Sequence, residues 1–129
     1  MAVGSSMRHD DGAPALLSGL PMSTEPLIEV RTTFGSRAEA ELCARQLVES
    51  RLAACVQVDG PLMSIYRWQG AVETAEEWRC TCKTTCERET DCVAAISTRH
   101  AYATPQLTIV RITASAAYAA WVRESVAPA

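Results

Sequence analysis

Six cysteines in a chain of 129 residues are the first chemistry to account for: Cys43, Cys55, Cys80, Cys82, Cys86 and Cys92. Cys80, Cys82 and Cys86 give a C-x-C-x3-C spacing, with Cys92 following. Thiolates at that density suit soft cations such as copper(I). Structural zinc sites more often use two closely spaced Cys or His pairs. The same residues also read as core. Cys80 and Cys82 alternate with Arg79, Thr81 and Lys83 and share a face with Trp78, and buried thiols behave as small hydrophobes. An even number of cysteines also fits a disulfide framework, but that reading wants a secreted context. The N-terminus makes a poor signal peptide, because Arg8 is followed by Asp10 and Asp11 and the apolar run is short and broken. Free thiols in a reducing cytoplasm are therefore expected. Cys86, at a helix start, is expected to be the most reactive of the six.

Nucleophilic catalysis has few parts to work with. His9 lies in an N-terminal tail, which leaves His100 as the only histidine of the folded region, and Lys83 is the only lysine. A Ser-His-Asp or Cys-His set would have to pass through His100. No G-x-S-x-G, P-loop or G-x-G-x-x-G is present. His100 serves equally well as a ligand or as the cation at a helix C-terminus. Tyr66 and Trp68 share a strand face with Arg67 between them. Such a face is either a stacking platform for nucleic acid or a subunit contact. The net charge of −3, from 12 basic and 15 acidic residues, argues against a phosphate-backbone binder. No run approaches the ~18 apolar residues of a spanning helix, so no membrane partner is expected.

The elements that must position these side chains can be read from periodicity. Residues 1–25 carry Gly, Ser, Pro and Asp without sustained period and read as a disordered tail. The folded domain is expected over 26–127. Pro26 to Thr33 alternates as a first strand. Ser36 and Glu39 form a capping box, and Ala40, Cys43, Ala44, Leu47 and Val48 place an apolar stripe on the helix that follows. Leu52 to Asp59 and Met63 to Gln69 read as strand, together one long bent strand interrupted at Gly60-Pro61. Gln69-Gly70 is a turn, and Glu76 to Thr84 returns as the other half of a hairpin. Thr84 and Glu87 repeat the capping-box spacing before a helix over 86–99. Gln106 to Thr113 is a last strand, and Ser115 caps a short third helix. The order β-α-β-β-α-β plus a terminal helix predicts an α+β, ferredoxin-like sandwich with an antiparallel sheet and an extra C-terminal helix.

Several segments resemble the CutA family of divalent-cation tolerance proteins. They are Thr32 to Phe34, Ser50 to Val58 and the stretch Ser64-Ile65-Tyr66-Arg67-Trp68-Gln69-Gly70. Further on come Glu77 with Lys83-Thr84, His100 to Pro105, and Tyr118-x-x-Trp121. The match runs from about Leu27 to Val126. The resemblance implies a homotrimer whose long bent strands pair across subunits. It places Tyr66, Trp68, Glu77, Lys83, His100 and Tyr102 near subunit boundaries, where small-ligand clefts form. Some members hold copper through a thiol on the first strand and a His-His pair. Here Arg31 fills the thiol position and Arg99 that of the first histidine, so His100 alone remains as a metal ligand. At most a weakly bound divalent cation such as copper is expected as cofactor.

Three functions follow as expectations. The first is a non-enzymatic cytoplasmic homotrimer for divalent-metal (copper) tolerance. The alternative is a PII-like regulatory trimer that binds a small ligand at its interfaces, although no long basic loop is visible. The last, an enzyme using His100 and Lys83 as acid and base, has few combinations to draw on, and a fold alone licenses no activity.

Overall fold

The structure is a computed structural model and describes residues 19–129. Residues 1–18 of the expected tail lie outside the described residues. Residues 21–25, which composition assigns to that tail, run beside the last helix. Ser23 N donates to Ala114 O at 2.9 Å, Ala116 N donates to Pro21 O at 2.9 Å, and Met22 bridges Ser115.

Strand β1 (Leu27–Phe34) leads into helix α1 (Arg37–Glu49). Ser36 caps α1 as its sequence dictates, accepting from Glu39 N at 3.2 Å. Ala40, Cys43, Ala44 and Leu47 face inward. Val48, expected in the same stripe, is instead 42% exposed. At about 100° per residue it lies roughly 80° around the axis from Ala40, at the rim of the buried face.

Strands β2 (Cys55–Trp68) and β3 (Ala71–Thr85) form one long antiparallel hairpin. Its turn residues Gln69 and Gly70 both have positive φ, 50° and 83°, the backbone of a two-residue type I′ turn. The break at Gly60-Pro61 is a bulge within a single strand, between Asp59 and Leu62. Gly60 is there for space: a Cβ would meet Trp78 Cδ1 at 2.6 Å. Gly60→Ala is therefore expected to destabilise the fold by about 1–3 kcal/mol, the usual cost of overpacking. A lowered urea midpoint at fixed chain concentration would show it, and an unchanged midpoint would refute the clash.

The expected cap at Thr84 does not form. Strand β3 pairs with β1 as far as Thr85, with Thr84 opposite Ile28, so ladder pairing holds Thr84 in extended backbone. A 3₁₀ turn (Cys86–Arg88) follows, then α2 (Glu89–Arg99), and neither start has a side-chain cap. Strand β4 (Thr108–Ile112) is two residues shorter at its start than the pattern suggested. Ser115 caps α3 (Ala116–Val126), accepting from Tyr118 N at 3.2 Å.

The sheet order is β2-β3-β1-β4, antiparallel throughout. Helices α1 and α2 cover one face over Ile28, Val30, Phe34, Cys80, Cys82, Cys92 and Ile96. Helix α3 packs on Leu27 in a second, smaller cluster. Leu27 is one residue out of register with Ile28, so α3 lies on the opposite side of the sheet. The hairpin's distal half extends beyond both helix layers.

Candidate functional site

His100 follows the last residue of α2, and its backbone N–H bonds Ser97 O at 3.3 Å. Its ring stacks on Phe34 with centroids 4.3 Å apart and planes within 10°. Nε2 lies 2.7 Å from Thr33 O, and Tyr102 N lies 3.2 Å from Nδ1. A carbonyl only accepts and a backbone N–H only donates. The partners therefore assign the proton to Nε2 and leave Nδ1 as acceptor. Both ring nitrogens are spent on the protein, and in this arrangement neither lone pair is free for a metal ion. His100 instead fixes the loop that carries Tyr102.

Tyr102 lies against the His100 ring, centroids 4.8 Å apart, and its hydroxyl donates to Glu77 Oε2 at 3.0 Å. The loop passes close over the start of α1. A Cβ on Gly35 would meet the Tyr102 hydroxyl at 3.2 Å. Partial burial pushes the Tyr102 phenol up to about 12, helped by the Glu77 hydrogen bond and by the charges of Glu77, Glu39 and Tyr66. The folded state holds this proton more tightly than the unfolded chain. Its contribution to stability is fully present below about pH 10 and lost as pH rises towards 12. In a tyrosinate absorbance titration, Tyr102→Phe should remove the ionisation near that upper value. A titration curve that keeps this step would contradict the assignment.

The six residues proposed from sequence do not form one site. Glu77, His100 and Tyr102 come together, whereas Tyr66 pairs with Glu73 further out along the hairpin arm. Trp68 lies two residues further along the exposed arm. Lys83 sits six residues from Glu77 on β3, roughly 20 Å along an extended strand, with its Nζ 5.9 Å from the Tyr118 ring centroid. Sequence reasoning missed the supports: Phe34 under the imidazole, the Thr33 carbonyl, and Glu39 facing Tyr102. The signal was the short run Thr33-Phe34-Gly35-Ser36, where a strand end meets a helix cap. Arg31 pairs with Glu29 at 2.6 Å, and Arg99 bonds the Gln46 side chain and, at 2.9 Å, Ala95 O.

The thiols divide by exposure. Cys43, Cys80, Cys82 and Cys92 are buried, whereas Cys55 and Cys86 are half-buried, and all six are unpaired. Burial pushes the Cys43 thiol up to about 11 and that of Cys80 to about 12. The Cys82 and Cys92 thiols are hydrogen-bonded to each other, which raises Cys82 and lowers Cys92. Cys86 donates to Pro26 O at 3.6 Å and receives Arg111 Nη1 at 3.4 Å. Native alkylation should therefore modify Cys55 and Cys86 first, with the other four waiting on local opening. Equal labelling rates for all six by mass spectrometry would contradict this. Among the described residues no three His, Cys, Asp or Glu side chains converge to hold a metal, and no helix is long and apolar enough to cross a membrane.

The α+β fold and its strand order define the ferredoxin-like class, and comparison with known proteins narrows it. Residues 28–125 match the family model described as CutA1 divalent ion tolerance protein. The chain is 36% identical over 97 residues to the divalent-cation tolerance protein CutA of Thermus thermophilus, covering 74% of this chain and 94% of that one. It is 33% identical over 101 residues to the Thermotoga maritima protein of the same name, covering 78% and 99%. The structure of CutA from Synechococcus elongatus superposes with a TM-score of 0.78 at 36% identity, covering 86% of this chain and 98% of that one. The chain belongs to the CutA family.

Proposed function

We propose that the protein works as a non-enzymatic cytoplasmic homotrimer in divalent-metal-ion tolerance, with a small-ligand cleft completed at each subunit boundary. The observation that carries this is the arm of the β2–β3 hairpin. Met63, Ile65 and Val72 are 78%, 65% and 65% exposed on one face of it, and Tyr66 and Trp68 are exposed on the other. An arm that presents apolar side chains on both faces asks to be covered. The outer edges of β2 and β4 have no strand partner among the described residues, and such edges accept a strand from another copy. Glu77 and Tyr102 stand at the root of this arm and Tyr66 further out along it, so a subunit packed against the arm would wall the cleft. Trp68 would belong to the contact itself, and Lys83 to the far end of the sheet.

The metal role is read from the family. Copper at His100 is the weaker part of it, because both ring nitrogens already have partners. Any divalent cation held there would have to displace one of them. The six unpaired thiols support a reducing cytoplasm. The PII-like reading keeps the same trimer and cleft but asks for a basic nucleotide-binding loop, and Glu77 and Glu39 make this site acidic instead.

Native mass spectrometry of the purified protein against separate metal-ion and metabolite panels tests the reading. The expected result is a trimer that retains a metal ion or small ligand with no chemical conversion of it. Turnover of any panel member would overturn the non-enzymatic assignment. Selective retention of nucleotides would favour the PII-like alternative.

A further inference from the structure

A cleft of about 390 Å³ opens where the C-terminal end of α3 meets the 3₁₀ turn after β3 and the segment that leads into β1. Its size falls within the ordinary range of small-molecule sites, ~300–1,000 Å³. No residue of the His100 loop or of the hairpin arm lines it. It takes Glu25 from before the family-matched residues 28–125 and Val126 from after them. Thr85 and Val126, 6% and 3% exposed, are its buried residues. Thr85 stands directly before the 3₁₀ turn, yet its hydroxyl makes no capping hydrogen bond there.

The charged side chains of the cleft are held by the backbone around it. Arg88 reaches across to the end of α3, where its Nε and Nη2 donate to Val126 O at 2.9 and 2.7 Å. This fork satisfies a carbonyl left over at a helix C-terminus and fixes the plane of the guanidinium. It leaves the Nη1 group of Arg88 without a hydrogen-bond partner among the described residues. Arg123 Nη2 donates to Ser23 Oγ at 3.1 Å and to Glu25 O at 3.4 Å, and lies 3.5 Å from Glu25 Oε1. A solvent-facing pair of that length contributes little, so it can open to a better partner. Glu87 is exposed, and neither it nor Arg88 enters an ion pair among the described residues.

The cleft therefore carries two guanidiniums and two carboxylates, and that balance selects its ligand. A simple anion would meet Glu25 and Glu87. A metal cation would meet Arg88 and Arg123. An apolar molecule would take all four charges from water without replacing their partners. A small molecule that carries both charges offsets both. We propose that this cleft binds a free α-amino acid, with its carboxylate on Arg88 and Arg123 and its ammonium on Glu87. Guanidiniums match a carboxylate with paired N–H groups, and both bonds gain from the opposite charges. The Thr85 hydroxyl, buried at the cleft and free of a cap bond, adds one polar contact to the bound molecule. The site shares no residue with the hairpin arm or the His100 loop, so its failure would leave the trimer and its cleft standing, and theirs would leave it standing.

The test is isothermal titration of the full chain with each of the common L-amino acids in turn. One or a few should bind at millimolar concentration or below. For each that binds, the N-acetyl derivative lacks the ammonium and the α-amide lacks the carboxylate, and both should bind at least about tenfold more weakly. Glu87→Gln should weaken binding by a similar factor, whereas Glu73→Gln, out on the hairpin arm, should bind as the wild type does. Far-ultraviolet circular dichroism checks that Glu87→Gln is folded, and if it is not, the two derivatives decide on the wild type alone. The proposal is overturned if no amino acid binds, or if acetate or phosphate binds as tightly as the amino acid. It is equally overturned if either derivative binds undiminished, or if folded Glu87→Gln keeps full affinity.

Discussion

The double variant Ile65→Asp, Val72→Asp is expected to be a folded single chain, with assembly lost altogether. Both side chains are well exposed and lie next to one another on the hairpin arm, Ile65 opposite Thr74 and Val72 opposite Arg67. Within one chain they touch no core, and substitutions at such positions usually cost within about 0.5 kcal/mol. In a trimer the arm would lie inside the contact. A stable interface buries about 800 Å² per partner around an apolar centre. A carboxylate placed there must be paired or desolvated, and Arg67, opposite position 72, can offset only one of the two. Sedimentation velocity should give one slow species, with far-ultraviolet circular dichroism unchanged. If the variant still sediments as the wild type does, the arm is not the contact.

Phe34→Ala carries the largest expected loss of stability. Phe34 is 2% exposed, closes the main core at the end of β1 and supports the His100 ring from beneath. Truncating a buried phenylalanine costs about 3–5 kcal/mol through lost transfer energy and the cavity left behind. The effect should reach the site as well. Without the stack, His100 is held only by its two hydrogen bonds, and the Tyr102 hydroxyl loses its fixed approach to Glu77. Urea unfolding at matched chain concentration measures the first effect, since the midpoint of an oligomer would depend on concentration. Tyrosinate titration measures the second, as a return of Tyr102 towards the ordinary phenol value. A loss under about 1 kcal/mol would mean that the ring is not carrying the core.

Local signals were read well wherever the determinant is local. Ser36 with Glu39, Ser115 before α3, and the Gln69-Gly70 turn each act over two or three residues, and each appears in the structure as its sequence implies. The long bent strand was legible for the same reason, since Gly60-Pro61 interrupts the alternation without ending it. Thr84 failed because two local rules competed there. Its spacing to Glu87 favours a cap, but pairing with β1 decided the matter, and pairing across more than fifty residues has no local signature. The candidate site was half legible. Glu77 and Tyr102 could be named by resemblance, but their hydrogen bond depends on how the α2–β4 connection folds back over Gly35. Sequence leaves His100 as a ligand or a cap because it does not show that Thr33 O and Tyr102 N take up both ring nitrogens. The resemblance groups Lys83 with Glu77, and the extended strand between them holds the two apart. Among the cysteines, strand alternation and helix phase place Cys43, Cys80, Cys82 and Cys92 on core faces, and all four are buried.

The central claim is that this chain is one third of a working unit, with its hairpin arm covered by another copy. Static light scattering on the wild-type protein, eluting from a size-exclusion column at micromolar concentration, tests that claim most directly. The account predicts one peak at three times the 13.9 kDa chain mass, unchanged on dilution across that range. A single 13.9 kDa species would leave Met63, Ile65, Val72 and Trp68 bare in solution and contradict it.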